Sequence, residues 1–178
     1  MIFFGRIGNV LRCRQAALVT LLLAFPLLAP ADGPTVNVQL DVSKASPRTV
    51  EDATRNRILL DYRFAWTSLS QALDANTADP LQGPFTGSAK NWLLETVKQQ
   101  TKSGLSTHYS DQNHKVDAVF YAPEGDMIEL HDTAGYRMQL LDRGKLVYDD
   151  RIVQRYIVLM TPGADRWVVR QLQAVDRF

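Results

Sequence analysis

The chain has one cysteine, Cys13, among 178 residues. It stands before the main apolar run, so it has the wrong position for a lipid attachment, and residues 32–178 have no thiol for a disulfide, a thiolate metal ligand or a nucleophile. Basic residues are scattered. Three of the 20 Lys and Arg fall before residue 32, leaving 17 against 19 acids, and no basic run is interleaved with aromatics, which argues against nucleic acid as a partner. No Gly-x-Ser-x-Gly elbow and no phosphate loop occur, since Gly83, Gly87 and Gly104 read as a turn, a helix entry and a helix stop. Long apolar runs are also missing: Ala16 to Leu28 is shorter than the ~20 residues a spanning helix needs.

What is present begins with that run. Arg6, Arg12 and Arg14 precede it and Ala29-Pro30-Ala31 follows it with a small-x-small pattern, the layout of a secretory signal cut before Asp32. The expectation is an exported protein, periplasmic or extracellular; the alternative is an uncleaved N-terminal membrane anchor. The reading divides the chain into a signal at 1–31, a linker at 32–48 and one folded domain at 49–178. Val36, Val38, Leu40 and Val42 alternate with polar residues, as in an edge strand, but the polar, Pro- and Gly-containing surroundings favour a tether.

From Thr49 to Ala75 the period is helical. Ile58, Tyr62, Ala65, Trp66, Leu69, Ala72 and Leu73 form one apolar stripe, with Leu60 and Phe64 on a separate patch. Thr49 and Asp52 have capping-box spacing. A second helix is expected from Ser88 or Ala89 to about Lys102, stopped by Gly104. Beyond Leu105 the pattern changes to period two. Strands are expected at 106–110, 115–121, 127–131, 136–141, 151–160 and 166–175, with loops at 111–114 and 132–135 among the short connections of an antiparallel meander. Val116 to Tyr121 and Ile152 to Met160 carry apolar residues on both faces. Helices at the front and strands at the back make an α+β domain, two helices packed on a strongly curved antiparallel sheet.

A long helix, a shorter one and a bent meander resemble the nuclear transport factor 2-like superfamily, the NTF2-like or SnoaL-like cone. Within it, Phe85-Thr86-Gly87-Ser88-Ala89 leading into Trp92-Leu93, then Gly104 and Tyr109, resembles the small domain of plastid-division inner-membrane proteins. The resemblance implies an α+β cone and brings no catalytic signature. It covers enzymes such as isomerases and cyclases, assembly factors and noncatalytic domains, so the fold leaves function open.

An enzyme of that superfamily is expected to place an Asp or a His-Asp pair inside the cone. The eligible residues are Asp61, His108, Asp117, His131, Asp132 and Tyr136, with Asp61, His108 and His131 the weak catalytic candidates. Asp61 more simply pairs with Arg57 four residues earlier. His131 and Asp132 are adjacent on a strand and point to opposite faces. Asp111, His114 and Asp117 have three-residue spacing, but their turn-like context argues against a metal, and no cofactor is expected. Tyr62, Trp66, Trp92, Tyr136 and Tyr156, with Trp167, line a cavity or fill a core. Leu60 and Phe64 meet Trp92 and Leu93 of the next helix or form a contact surface. The leading expectation is a noncatalytic envelope domain for protein–protein contact, with a protein partner or a homodimer. The alternative is a small-molecule binding domain or isomerase-like enzyme with a small apolar ligand. Whether the cone is hollow or filled separates them.

Overall fold

The computed structural model describes residues 35–178. The signal expected at 1–31 and its cleavage point lie outside the described residues. In order, the elements are β1 (Val36–Asp41), β2 (Ser46–Pro47), α1 (Asp52–Ala75), a short 3-10 turn at Asp79–Leu81, α2 (Gly87–Ser103), β3 (Leu105–Tyr121), β4 (Ile128–Asp142), β5 (Lys145–Pro162) and β6 (Trp167–Val175). The sheet order is β1-β3-β4-β5-β6, with β2 also on β3. Over the described residues the fold is therefore α+β, with two helices and an open six-stranded sheet.

Three expectations need correction. Val36–Asp41 is a strand, not part of a linker: it pairs parallel with β3, and Val36, Val38 and Leu40 are buried while Asn37 and Gln39 are exposed. Period-two alternation thus outweighed the polar surroundings, because β3 offered an edge to it. The sheet is consequently mixed, with parallel β1 and β2 beside the antiparallel run β3 to β6. A parallel neighbour needs a long crossover, and α1 and α2 supply it.

The second correction concerns the meander. The expected loops at 111–114 and 132–135 are strand, so four expected strands are two long ones. Asp111, with φ +53°, absorbs an irregularity between Ser110 and Asn113 without ending the strand, and another lies between Ala118 and Phe120. The latter explains the two-sided pattern of 116–121: Val116, Ala118 and Tyr121 are all buried although strict alternation would turn Tyr121 outward. On β5, Tyr156, Val158 and Met160 face the core, Val153 is exposed, and Ile157 and Leu159 are half-buried.

The third correction is local. The capping box does not form, since α1 starts after Glu51, whose carboxylate instead accepts a 2.7 Å bond from Arg48. The apolar stripe of α1 is buried as its period requires, and α2 closes on Gly104 at φ +70°. Among the described residues no helix is long and apolar enough to cross a membrane.

Candidate functional site

Joining the strand fragments brings together residues that are far apart in sequence. On β3, Gln112, His114, Val116 and Ala118 face inward; on β4, Leu130, Asp132, Ala134 and Tyr136 do the same. The register sets Asp132 opposite Val116 and His114 opposite Ala134, so His114 and Asp132 are diagonal neighbours on one face. Their Nδ1 to Oδ2 distance is 2.7 Å, and Tyr62 of α1 donates its hydroxyl to the same Oδ2 at 2.7 Å. The His114 and Asp132 side chains have no solvent exposure.

Aromatic rings close the cluster. Trp66 lies 4.4 Å from the His114 ring at a 43° tilt, Tyr62 meets that ring edge-on, and Trp66 also packs on Tyr156 at 5.4 Å. The Tyr136 and Tyr156 hydroxyls are 3.0 Å apart. Burial, followed by the charge of Asp132, pushes the Tyr62 phenol well up, and burial likewise raises Tyr109, Tyr136 and Tyr156. These tyrosines are neutral hydrogen-bonding groups at physiological pH. The other ring nitrogen of His114, Nε2, faces away from Asp132 into the packed interior. That Nε2, Asp132 Oδ1 and Gln112 Oε1 are buried without a partner, whereas Gln112 Nε2 donates to Ser70 Oγ at 2.8 Å.

A His–Asp pair of this geometry is the material of a general base, but a base must reach its substrate. The adjoining space is a cavity of about 130 Å³ lined by residues including Trp66, Leu93, Tyr109, Met138, Tyr156 and Leu172. It touches neither His114 nor Asp132 and is smaller than the roughly 300–1,000 Å³ of ordinary ligand sites. The interior is largely filled by its aromatics.

The sequence candidates are dispersed. Asp61 is buried, but its Oδ2 accepts from Arg57 Nε and from the backbone N–H of Trp167, both at 2.8 Å, tying α1 to the start of β6. His108 lies 3.3 Å from Asp74 at the surface. His131 sits on the other face of β4, 3.0 Å from Glu129 and stacked on Phe178. Asp117 pairs with Lys44 at 2.9 Å and Asp111 approaches Arg151 at 3.5 Å. Among the described residues no three acidic, His or Cys side chains are grouped to hold a metal.

Of the aromatics, Tyr62, Trp66, Tyr136 and Tyr156 form one cluster, and Trp167 packs near Tyr121. Trp92 stays outside that ring cluster, 53% exposed, yet it lines the cavity with Trp66 and Tyr156, whereas Tyr62 and Tyr136 do not; Leu93, one residue on, enters the core. Leu60 and Phe64 remain exposed rather than being covered by α2, and the Arg166 guanidinium lies over the Phe64 ring at 4.9 Å. The residue sequence reasoning missed was His114 as the partner of Asp132. Continuing the alternation of 116–118 back through Gln112 would have found it.

No family model matches the chain, and no curated protein matches it. Among solved structures, one of 15 matching chains is the intermembrane space region of chloroplast protein ARC6, at a TM-score of 0.56 and 13% identity, covering 72% of this chain and 98% of that one. The two share a fold. At that identity the likeness extends to architecture alone, in keeping with the resemblance to plastid-division domains; the wider nuclear transport factor 2-like assignment rests on the sequence resemblance.

Proposed function

We propose that this is a noncatalytic, exported domain used for protein–protein contact or assembly in the cell envelope. The observation that carries the reading is the placement of its apolar side chains. The space under α1 is largely filled by aromatic side chains, with a cavity of about 130 Å³ left, while Leu146, Val147, Tyr148 and Val153 are exposed within one stretch of β5 and Leu60 and Phe64 are exposed on α1. Exposed apolar side chains gathered in this way mark contact surfaces. The fold likeness to a region lying in an intermembrane space supports an envelope setting.

A second reading, a small-molecule binding or isomerase-like enzyme, has the buried His114–Asp132 pair in its favour. It ranks lower because Trp66 covers the imidazole and the cavity stops short of it. The test is crosslinking in intact cells with two double variants, Leu60→Ser/Phe64→Ser and Val147→Ser/Val153→Ser. Loss of envelope adducts in at least one, with the unfolding midpoint held, supports the contact reading; unchanged adducts in both, or none with the unsubstituted chain, refute it. A crystal structure with an apolar ligand displacing Trp66 and touching His114 Nε2 would install the second reading.

A further inference from the structure

We infer that the outer edge of β5, from Lys145 to Gln154, is a self-recognition edge that pairs antiparallel with the same segment of a second copy of this chain, in a register centred on Asp150. The inference deepens the contact reading above, on which it rests, by naming the partner and the surface.

β4 pairs β5 from Lys145 to Met160, with a bulge that leaves Val147 without a β4 partner, but on the other side of β5, β6 reaches only from Pro162 to Arg155. Past that point the chain turns away: Arg155 holds the Asp176 carbonyl and Gln154 the Val175 carbonyl, and Phe178 crosses to His131. Among the described residues nothing pairs with β5 before Arg155 on that side. The row of backbone donors and acceptors along 145–154 is thus open, on a strand whose residues 145–151 are all exposed. An open, long, partly apolar edge is a template for another strand.

The sequence of the edge selects the partner. A two-fold axis perpendicular to the sheet preserves the face of each side chain, so directly opposed residues must have numbers of the same parity. Centring on Asp150 places Asp149 opposite Arg151 of the second copy and Tyr148 opposite Ile152, each pair occurring twice, and brings Val147, at the bulge, beside Val153. Centring one residue either way weakens this: about Asp149, Val147 meets Arg151 and Asp149 meets its own copy, with only Leu146 against Ile152 as an apolar pair; about Arg151, Asp149 meets Val153 and Asp150 meets Ile152. Charges on the edge therefore obstruct indiscriminate strand addition while one register makes them complementary.

The groups are available. Arg151 is 77% exposed at its side chain and approaches Asp111 only at 3.5 Å. Asp149, aligned by Arg137 at 2.6 and 2.7 Å and by Gln139 at 3.0 Å, is a carboxylate with capacity for a further donor. Two contacts oppose the pairing, Asp150 against its own copy on the axis and Lys145 against Arg155. They and the small area of an edge-to-edge contact make the association weak.

The test uses the full-length chain in a Cys13→Ser background, in whatever processed form it accumulates, with single cysteines introduced. Directly opposed residues bring their Cα atoms to about 4.5–5.5 Å, within disulfide range. Asp150→Cys should form a symmetric dimer under mild oxidation at least about tenfold faster than Asp126→Cys in the distant β3–β4 turn, because pairing raises the local thiol concentration. Val147→Cys and Val153→Cys should each stay monomeric alone and crosslink when mixed. Sedimentation of Asp150→Asn, which removes the axial repulsion without adding a thiol, should show tighter self-association than the unsubstituted chain. Asp150→Cys dimerising no faster than Asp126→Cys, or a mixed Val147→Cys and Val153→Cys sample that does not crosslink, overturns the pairing. If the Val147→Ser/Val153→Ser variant still loses envelope adducts in that case, self-pairing falls and the contact reading stands with a different occupant; if those adducts are also unaffected by both surface variants, both fall.

Discussion

Replacing Asp132 by alanine tests whether the buried polar cluster is a structural clamp. Its Oδ2 serves two donors, the Tyr62 hydroxyl and His114 Nδ1, in a place closed to solvent. Removal strands both donors, at about 1–3 kcal/mol each, and leaves a small void, so about 3–5 kcal/mol of stability should be lost. Against a total of roughly 5–15 kcal/mol that is a large fraction, and at this chain length it lowers the unfolding midpoint by about 8–15 °C. Tyr62→Phe alone should cost about 1–2 kcal/mol, since it strands nothing except one acceptor site that still binds His114. In the Asp132→Ala background the same change should be close to neutral, because it then removes an orphaned hydroxyl, giving a coupling of about 1–2 kcal/mol in the double-mutant cycle. The triple variant Asp132→Leu/His114→Leu/Tyr62→Phe should cost less than Asp132→Ala alone, since replacing all partners of a buried polar cluster by apolar groups strands no donor. The assay is urea unfolding followed by fluorescence of the buried Trp66. A loss below about 1 kcal/mol for Asp132→Ala, or no coupling to Tyr62→Phe, would refute the reasoning, since it would mean that the stranded donors find other partners.

Two further outcomes follow from particular positions. Gly104 closes α2 at φ +70° and an added Cβ would stand 3.3 Å from the Arg143 side chain, so Gly104→Ala should cost about 1–2 kcal/mol in the same unfolding assay, whereas Gly83→Ala, in open space, should stay within about 0.5 kcal/mol. Hydrogen bonds from Arg137 and then Gln139 hold the Asp149 carboxyl down at about 2, from an ordinary 3.8. A depressed folded value means that its contribution to stability is complete above the ordinary value and is lost as pH falls from there through about 2. Carboxyl chemical-shift titration should show a midpoint near that value, and Arg137→Ala should move it upward; an unmoved midpoint would assign the depression to something else.

How much was legible in the sequence depends on the range of the interaction. The helix spanning 52–75, its buried stripe and the stop at Gly104 follow from a local period and one glycine in the left-handed region, and both are properties of contiguous residues. Even the Asp61–Arg57 pair, four residues apart, is a local matter. The strands were harder. Asp111 to His114 and Asp132 to Gly135 contain the residue types of turns, and only the neighbouring strands hold them extended, through a bulge that a one-dimensional pattern does not mark. With those stretches misread as loops, the pairing of His114 with Asp132 had no place to form. Likewise, Val36–Asp41 alternates correctly in sequence, but what makes it a strand is the β3 edge, far along the chain beyond both helices.

The sequence by itself determined the class: an α+β domain with two helices ahead of the main run of strands, and a cysteine-free chain from residue 32 that must stand on its core. Tertiary structure alone decided which face each polar residue took, that the space under α1 holds a sealed His–Asp–Tyr cluster and a cavity of about 130 Å³, and that β5 outruns β6 to leave an open edge. The reason is physical. Periodicity reports which side of an element is apolar, whereas burial of a charge, closure of a cavity and the length to which two strands stay paired are set by register between segments distant in the chain.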